Sequence, residues 1–121
     1  MADVEKGIQK LGELVGEPAA RGAYDYMKKF DEGFANLVIG TTFGEVWARP
    51  GLPTKLRSLA TVAGLIVLGR AAELRAHIQG ALHLGWTPEE IKEVIIHMSQ
   101  YGGMPTTIEA IRIFEEVTKK K

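Results

Sequence analysis

Glu73 and His77 are the two side chains whose types and spacing best suit acid/base chemistry. They lie four residues apart in a segment with helical periodicity, so they share one helix face and the carboxylate can contact the imidazole. A neighbouring carboxylate raises the pKa of a histidine and fixes which ring nitrogen carries the proton. The pair could therefore hold a proton for a catalytic step. The same spacing is equally typical of a structural contact between the two side chains.

A metal site is a second use for these residues. If Glu73, His77 and His97 converged, they would supply one carboxylate and two imidazoles, the ligand set of a non-haem iron or zinc site. No H-E-x-x-H or comparable metal-binding spacing accompanies them. We therefore predict no metal and favour packing at a helix or subunit interface for His97. His83 falls opposite the apolar stripe of its helix and is predicted to face solvent.

Several other residues near the pair in sequence are of types that bind small acids. Arg49, Arg57 and Arg70 could each hold a carboxylate through two parallel hydrogen bonds. Trp47 could form the wall of a pocket or pack in the core. Gly80, one turn after the histidine, leaves room for a ligand or for a closely packed helix. Spacing alone does not decide between these binding roles and ordinary surface or packing roles.

The composition narrows the class of protein. A chain of 121 residues with 45% hydrophobic content fits one domain, residues 1–121. Fifteen basic and fifteen acidic side chains cancel, so no global charge favours nucleic acid or an anionic membrane. The absence of cysteine excludes disulfides, thiolate metal sites and thiol redox chemistry. The N-terminus lacks a signal-peptide core and the longest apolar run, 59–68, is too short for a membrane span, which predicts a soluble cytoplasmic protein.

The elements that must position these residues are all predicted to be helices, because apolar residues recur at three- and four-residue intervals and no strand-like alternation occurs. Glycines and prolines between residues 40 and 53 break the pattern, which predicts a loop there. The helix at 54–68 is polar at its start and apolar on nearly every side after Leu59, so it is predicted to be central and buried. The other predicted helices cover residues 4–15, 18–40, 71–84, the segment from 88 to a break at 101–105, and a last segment across 108–117.

Two features of the last helices bear on boundaries and assembly. Thr87-Pro88-Glu89-Glu90 has the pattern of a capping box with proline at the first helical position, so it predicts a sharp helix start. Ile96 points away from the apolar stripe of its helix, and the final helix has an apolar arc wider than a small monomer needs. A partner subunit is expected to cover these residues.

An ordered set of motifs runs through most of the chain. The motifs are Gly44-Glu45-Val46-Trp47-Ala48-Arg49-Pro50-Gly51-Leu52, Lys55-Leu56-Arg57-Ser58-Leu59, Gly69-Arg70 with Glu73 and His77, Gly80-Ala81-Leu82, Gly85-Trp86-Thr87-Pro88-Glu89-Glu90-Ile91, Glu93-Val94-Ile95-Ile96-His97, and Tyr101-Gly102-Gly103-Met104-Pro105. Taken together, they closely resemble the carboxymuconolactone decarboxylase family, and the resemblance extends across residues 34–117. It implies an all-α, alkylhydroperoxidase-like fold of about five or six helices, assembled into a ring of three or six subunits with active sites near the subunit contacts.

The resemblance also separates two branches of the family. Its alkylhydroperoxidase-like members use a C-x-x-C pair that ends four residues before a histidine. Arg70 and Glu73 occupy those two positions here, while His77 is retained, so a thiol peroxidase is excluded. His97 stands where glutamine is common in the decarboxylases, and this difference leaves the substrate open.

The resemblance implies a cofactor-independent carboxy-lyase acting on a small unsaturated lactone acid such as 4-carboxymuconolactone, in aromatic degradation of the β-ketoadipate type. His77 would be the general acid, oriented by Glu73. Two alternatives remain: an enzyme for another small keto or lactone acid, and a non-catalytic helical oligomer that binds a small acid. The residues expected to bind substrate are Arg57, Arg49, Trp47, Arg70, Gly80 and His97.

Overall fold

The computed structural model describes residues 3–119, and within this range the chain is all-α. It forms two compact units, the first ending at Thr54 and the second beginning at Lys55, and each is described by itself. The described residues form more helices than the five or six predicted. They are α1 (Val4–Val15), α2 (Glu17–Phe30), α3 (Glu32–Leu37), a π-helix (Val38–Trp47), α4 (Thr54–Leu68), α5 (Ala71–His83), α6 (Pro88–Gly102) and α7 (Met104–Thr118).

The predicted helix at 18–40 is divided at Asp31, which accounts for one additional helix. Asp31 has an extended backbone, with φ −167° and ψ 125°, and its carboxylate accepts a hydrogen bond of 2.9 Å from the backbone N–H of Phe34. Aspartate favours this capping geometry because its side chain satisfies a backbone donor that a new helix leaves unpaired. The apolar periodicity continues across the break, so the periodicity alone did not reveal it.

The loop predicted for residues 40–53 is wrong over its first half, where the π-helix Val38–Trp47 extends. The glycines that indicated a loop serve close packing instead. A Cβ added at Gly44 would lie 2.6 Å from the carbonyl oxygen of Asp3, and one at Gly7 would lie 2.1 Å from that of Ile39. Backbone therefore packs directly on backbone, which only glycine allows.

In the second unit, α4 to α7 share one core of aliphatic side chains. The prediction that α4 is central and buried is wrong for the chain by itself, because Leu68, in its apolar part, is 68% exposed. Only one stripe of α4, at four-residue spacing, faces the core. The fully or nearly buried members of this core are Val62, Ile66, Leu74, Ile78, Ala81, Ile91, Ile95, Ala110 and Ile113.

The start of α6 confirms the predicted capping box. The Thr87 hydroxyl accepts a hydrogen bond from the backbone N–H of Glu90 at 3.1 Å, and the Thr87 N–H donates to the Glu90 carboxylate at 2.9 Å. These hydrogen bonds lower the pKa of Glu90 because they stabilise its charged form. Just before the cap, Trp86 Nε1 donates to the carbonyl of Lys55 at 2.8 Å.

Over residues 3–119, no helix has both the length and the apolar character that a membrane crossing requires.

Candidate active site

The short helix α5 carries both residues of the predicted acid/base pair. Glu73 lies in the first turn of α5 and is exposed. His77 follows one turn later and is half-buried, with its Nδ1 atom enclosed in protein. The adjacent stripe of α5, which includes Leu74 and Ile78, enters the aliphatic core. The imidazole therefore stands at the boundary between that core and the outer surface of the helix.

The pKa of His77 is lowered from its ordinary value of 6.5, first because burial disfavours the charged ring. The negative charge of Glu73 opposes this shift but does not outweigh it. The expectation that Glu73 keeps the imidazole basic is thus corrected: its effect has the predicted sign, and burial determines the net direction. In the chain by itself, burial therefore favours the neutral form of His77 more than water would.

Two of the predicted arginines lie in the second unit, on the chain segment before α5. Arg57 lies half-buried on α4, and its backbone carbonyl accepts a hydrogen bond of 2.8 Å from the hydroxyl of Thr61. Arg70 is exposed in the two-residue connection between α4 and α5, where its N–H donates to the carbonyl of Leu65 at 3.2 Å. Arg70 is therefore held by its backbone next to the start of the helix that carries His77.

The remaining predicted residues of the second unit are placed differently. Gly80 is buried on α5. His97 is exposed on α6, with its ring centroid 5.6 Å from that of Tyr101. Across residues 3–119, no group of three or more histidine, aspartate or glutamate side chains is arranged to hold a metal ion. The chain thus does not bring Glu73, His77 and His97 together as a metal site. His83 is exposed, as predicted.

Trp47 and Arg49 belong to the first unit, at and just after the end of the π-helix. Trp47 is 7% exposed and stacks on Phe43 with 5.7 Å between ring centroids. Arg49 is exposed, and its backbone N–H donates to the carbonyl of Val46 at 3.2 Å. π-Helical segments are rare and are frequently found at functional sites. Trp47 is the last residue of this one, and Arg49 follows two residues later.

Ser58 on α4 is a buried polar residue that the sequence did not single out. Its side chain is fully buried, and its hydroxyl makes no hydrogen bond to any atom of the described chain, residues 3–119. One sequence signal could have found it. Ser58, Val62 and Ile66 are spaced by four, so a serine occupies a position of the stripe that the core otherwise fills with aliphatic residues.

An apolar groove of about 490 Å³ lies between α6 and α7. Ile96, which was predicted to point away from its core stripe, is 52% exposed beside it. Met104 and Ile111 also line the groove and are 65% and 43% exposed. The broad apolar arc predicted for the last helix is therefore present and largely open in the single chain.

Comparison with known proteins identifies three relatives. The chain is 39% identical to 4-carboxymuconolactone decarboxylase of Acinetobacter baylyi over 115 residues, 95% of this chain and 86% of that protein. It is 34% identical to nitrosuccinic acid decarboxylase npaB of Metarhizium robertsii over 113 residues, 93% of this chain and 78% of that protein. It is 40% identical to an uncharacterized 15.0 kDa protein of Paracoccus denitrificans, covering 91% of this chain and 92% of that protein.

The two named relatives are decarboxylases, which confirms the prediction of a carboxy-lyase at the level of reaction class. Residues 32–116 match the carboxymuconolactone decarboxylase family, in agreement with the motifs found in the sequence. The lack of cysteine agrees with the decarboxylase branch. This chain belongs to the carboxymuconolactone decarboxylase family.

Proposed function

We propose that this protein is a cofactor-independent decarboxylase of a small unsaturated lactone acid, with 4-carboxymuconolactone as the first candidate. The observation that carries the proposal is the half-buried His77 beside Glu73, in a chain 39% identical to a 4-carboxymuconolactone decarboxylase. A cytoplasmic location and a place in aromatic degradation are parts of the same proposal. Because the family match covers residues 32–116, we treat both units as parts of one functional domain.

The proposed reaction needs little beyond charge stabilisation and one proton. The bond between the carboxylate carbon and the lactone ring carbon breaks, and carbon dioxide leaves. The electron pair delocalises through the ring double bond onto the lactone carbonyl oxygen as a dienolate. A proton then adds to the ring carbon next to that carbonyl. Catalysis therefore requires an anchored substrate, stabilisation of the developing oxyanion and a positioned proton donor.

His77 is the proposed proton donor, although burial in the free chain favours its neutral form. Burial lowers its pKa, whereas a bound substrate carboxylate stabilises the imidazolium and raises that pKa again. Binding of the acid would thus be coupled to uptake of one proton. The proton is then delivered to carbon as the dienolate forms, a role that typically contributes about a hundred- to ten-thousandfold in rate. Glu73 supports the charged ring.

The arginines are the proposed anchors for the negative charges. Arg57, half-buried on α4, is suited to hold a carboxylate or the oxyanion, because a guanidinium offers two parallel hydrogen bonds. Arg70 is a second anchor in the same unit. The substrate-binding roles predicted for the other residues stay predictions, namely those of Trp47, Arg49, Gly80 and His97.

Turnover of 4-carboxymuconolactone tests the proposal directly. Purified protein is mixed with the lactone, and ultraviolet absorbance and carbon dioxide release are followed. His77→Gln should abolish turnover while the helical circular dichroism is kept. His83→Gln is the matched control, because that histidine lies on the same helix and is exposed; it should retain full activity. Wild-type turnover in a folded His77→Gln variant would overturn the proposed role.

Another small acid is the leading alternative substrate, and a second relative makes it specific. Nitrosuccinic acid decarboxylase is named for a substrate whose nitro group, like a conjugated lactone, can accept the electron pair that decarboxylation leaves behind. A panel of lactone, keto and nitro acids therefore covers the alternative. A non-catalytic protein that only binds acids would instead show saturable ligand binding without carbon dioxide release.

We also propose that the chain assembles into a ring of three or six subunits through the groove between α6 and α7. The support is the open apolar groove, with Ile96, Met104 and Ile111 exposed, since contiguous apolar surface of this kind marks contact sites. Sedimentation analysis of the wild type measures the subunit number. Ile111→Lys should shift the protein to smaller species, whereas Ile111→Leu should leave the assembly intact. A monomeric wild type would contradict this proposal.

A further inference from the structure

Trp86 connects two helices of the second unit through hydrogen bonds to their backbones. It lies between α5 and α6, where its side chain packs against the aliphatic core. Its backbone N–H donates to the carbonyl of Ala81, in the last turn of α5, at 3.1 Å. Its indole N–H donates to the carbonyl of Lys55, in the first turn of α4, at 2.8 Å. One residue therefore joins the end of α5 to the start of α4.

The side chain of Lys55 adds a second contact between the same two residues. Its ammonium group lies over the Trp86 ring, 4.5 Å from the ring centroid, where the π-electrons attract a cation. Lys55 is also the first residue of the second unit, and both Lys55 and Leu56 are exposed. The first residues of α4 in this unit thus gain little from burial, whereas Trp86 ties them to the core.

The two helices that Trp86 joins carry two groups of the proposed active site. Arg57, the proposed carboxylate anchor, follows Lys55 by two residues in the same helical turn. His77, the proposed proton donor, precedes Ala81 by four residues, about one turn of α5. Both groups must meet one small substrate, so the position of the guanidinium relative to the imidazole determines how well the acid is bound. The hydrogen bond at Lys55 acts on the backbone of the turn from which Arg57 extends.

We propose that Trp86 is a positioning residue that holds the first turn of α4, and with it Arg57, relative to His77. The consequence for substrate binding rests on the proposed function, whereas the link between Trp86 and α4 does not. Tryptophan suits this task because its ring packs on an apolar core while its edge carries one N–H donor. Phenylalanine offers similar packing without the donor, so it separates the hydrogen bond from the ring.

Hydrogen exchange of backbone amides, followed by NMR, tests the link without any substrate. The amides of Ser58 and Leu59, which close the first turn of α4, should exchange about three- to tenfold faster in Trp86→Phe, the effect of one lost hydrogen bond on local opening. Thr87→Ala is the matched control: it removes a hydrogen bond at the next residue, but at the start of α6, and it should leave these two amides unchanged. Equal exchange in the wild type and Trp86→Phe would overturn the proposal.

Kinetics with 4-carboxymuconolactone supplies the second readout. Trp86→Phe should raise KM about three- to tenfold and leave kcat unchanged, because a looser anchor weakens binding of the substrate and the transition state alike. Thr87→Ala should lower stability but keep the wild-type KM, so a loss of stability alone does not produce the effect. If exchange at the start of α4 becomes faster in Trp86→Phe but no acid is turned over by the wild type, the link stands and the proposed function fails. If the lactone is turned over with the same KM in the wild type and Trp86→Phe, the positioning role fails.

Discussion

Each unit has a side-chain core, but the two units differ in their closest helix contacts. In the first unit, α1 meets the π-helix where glycines bring backbone against backbone, as at Gly7 and Gly44. In the second unit, the helices are held apart by branched aliphatic side chains such as Val62, Ile78 and Ile91. The backbone contacts at glycines leave no space for an added atom, whereas the side-chain core loses stability when an atom is removed. The imidazole of His77 lies at the border of the side-chain core.

This difference suggests what each kind of packing contributes to a site. Backbone contact can fix the path of an uncommon helix, and here it fixes the π-helix that ends at Trp47. A side-chain core lowers the local polarity instead, and that is what shifts the pKa of His77 downward. Removing a side chain should therefore destabilise the second unit, and adding a methyl group at a backbone contact should destabilise the first.

The largest effect is expected from Ile78→Ala in the side-chain core. Ile78 is fully buried, and its truncation leaves a cavity, so the free energy of unfolding should fall by about 2–5 kcal/mol. Urea denaturation followed by circular dichroism measures the loss. Leu68→Ala is the control, since Leu68 is 68% exposed; it should cost less than about 1 kcal/mol. Equal losses for the two variants would contradict the comparison.

The second largest loss of stability is expected when a single methyl group is added at Gly7. The Cβ of Gly7→Ala would lie 2.1 Å from the carbonyl oxygen of Ile39, so the free energy of unfolding should fall by about 1–3 kcal/mol. Gly22→Ala makes the same change in α2, where nothing lies within 4 Å of the new atom. It should stabilise the protein by about 0.5–1 kcal/mol, because alanine favours helix. Melting curves of the pair should move in opposite directions.

A smaller effect is expected from the capping box that starts α6. Thr87→Ala removes the acceptor of the Glu90 N–H, and the loss of a cap costs about 1 kcal/mol. Thr87→Ser keeps the hydroxyl and should be close to neutral. Thermal unfolding of the three proteins measures both values. If the alanine and serine variants melt together, the hydrogen bond is not what stabilises the start of the helix.

The smallest effect is expected in the pH dependence of stability, through the titration of His77. Its pKa is lower in the folded chain than the ordinary 6.5, so below about pH 6.5 the unfolded state binds more protons. Stability should therefore decrease as the pH falls from 6.5 through the folded pKa. His77→Gln should remove this part of the pH dependence, and His83→Gln should retain it. An unchanged pH dependence in His77→Gln would contradict the direction of the shift.

Much of the local structure could be predicted because it depends on near neighbours in the chain. The capping box at Thr87 and the shared face of Glu73 and His77 follow from spacings of three and four residues. The break at Asp31 and the π-helix could not be predicted in this way. Both lie within apolar periodicity, and the glycines near Gly44 indicate a loop until a second helix is present to pack on them.

By itself, the sequence determined the helical class, the family and the shared helix face of Glu73 and His77, since these depend on residue types and local spacing. Only the tertiary structure decided that burial lowers the pKa of His77 and that Ser58 is fully buried. Burial is set by side chains that arrive from other helices. For an imidazole, the cost of losing water can exceed the attraction of a nearby carboxylate.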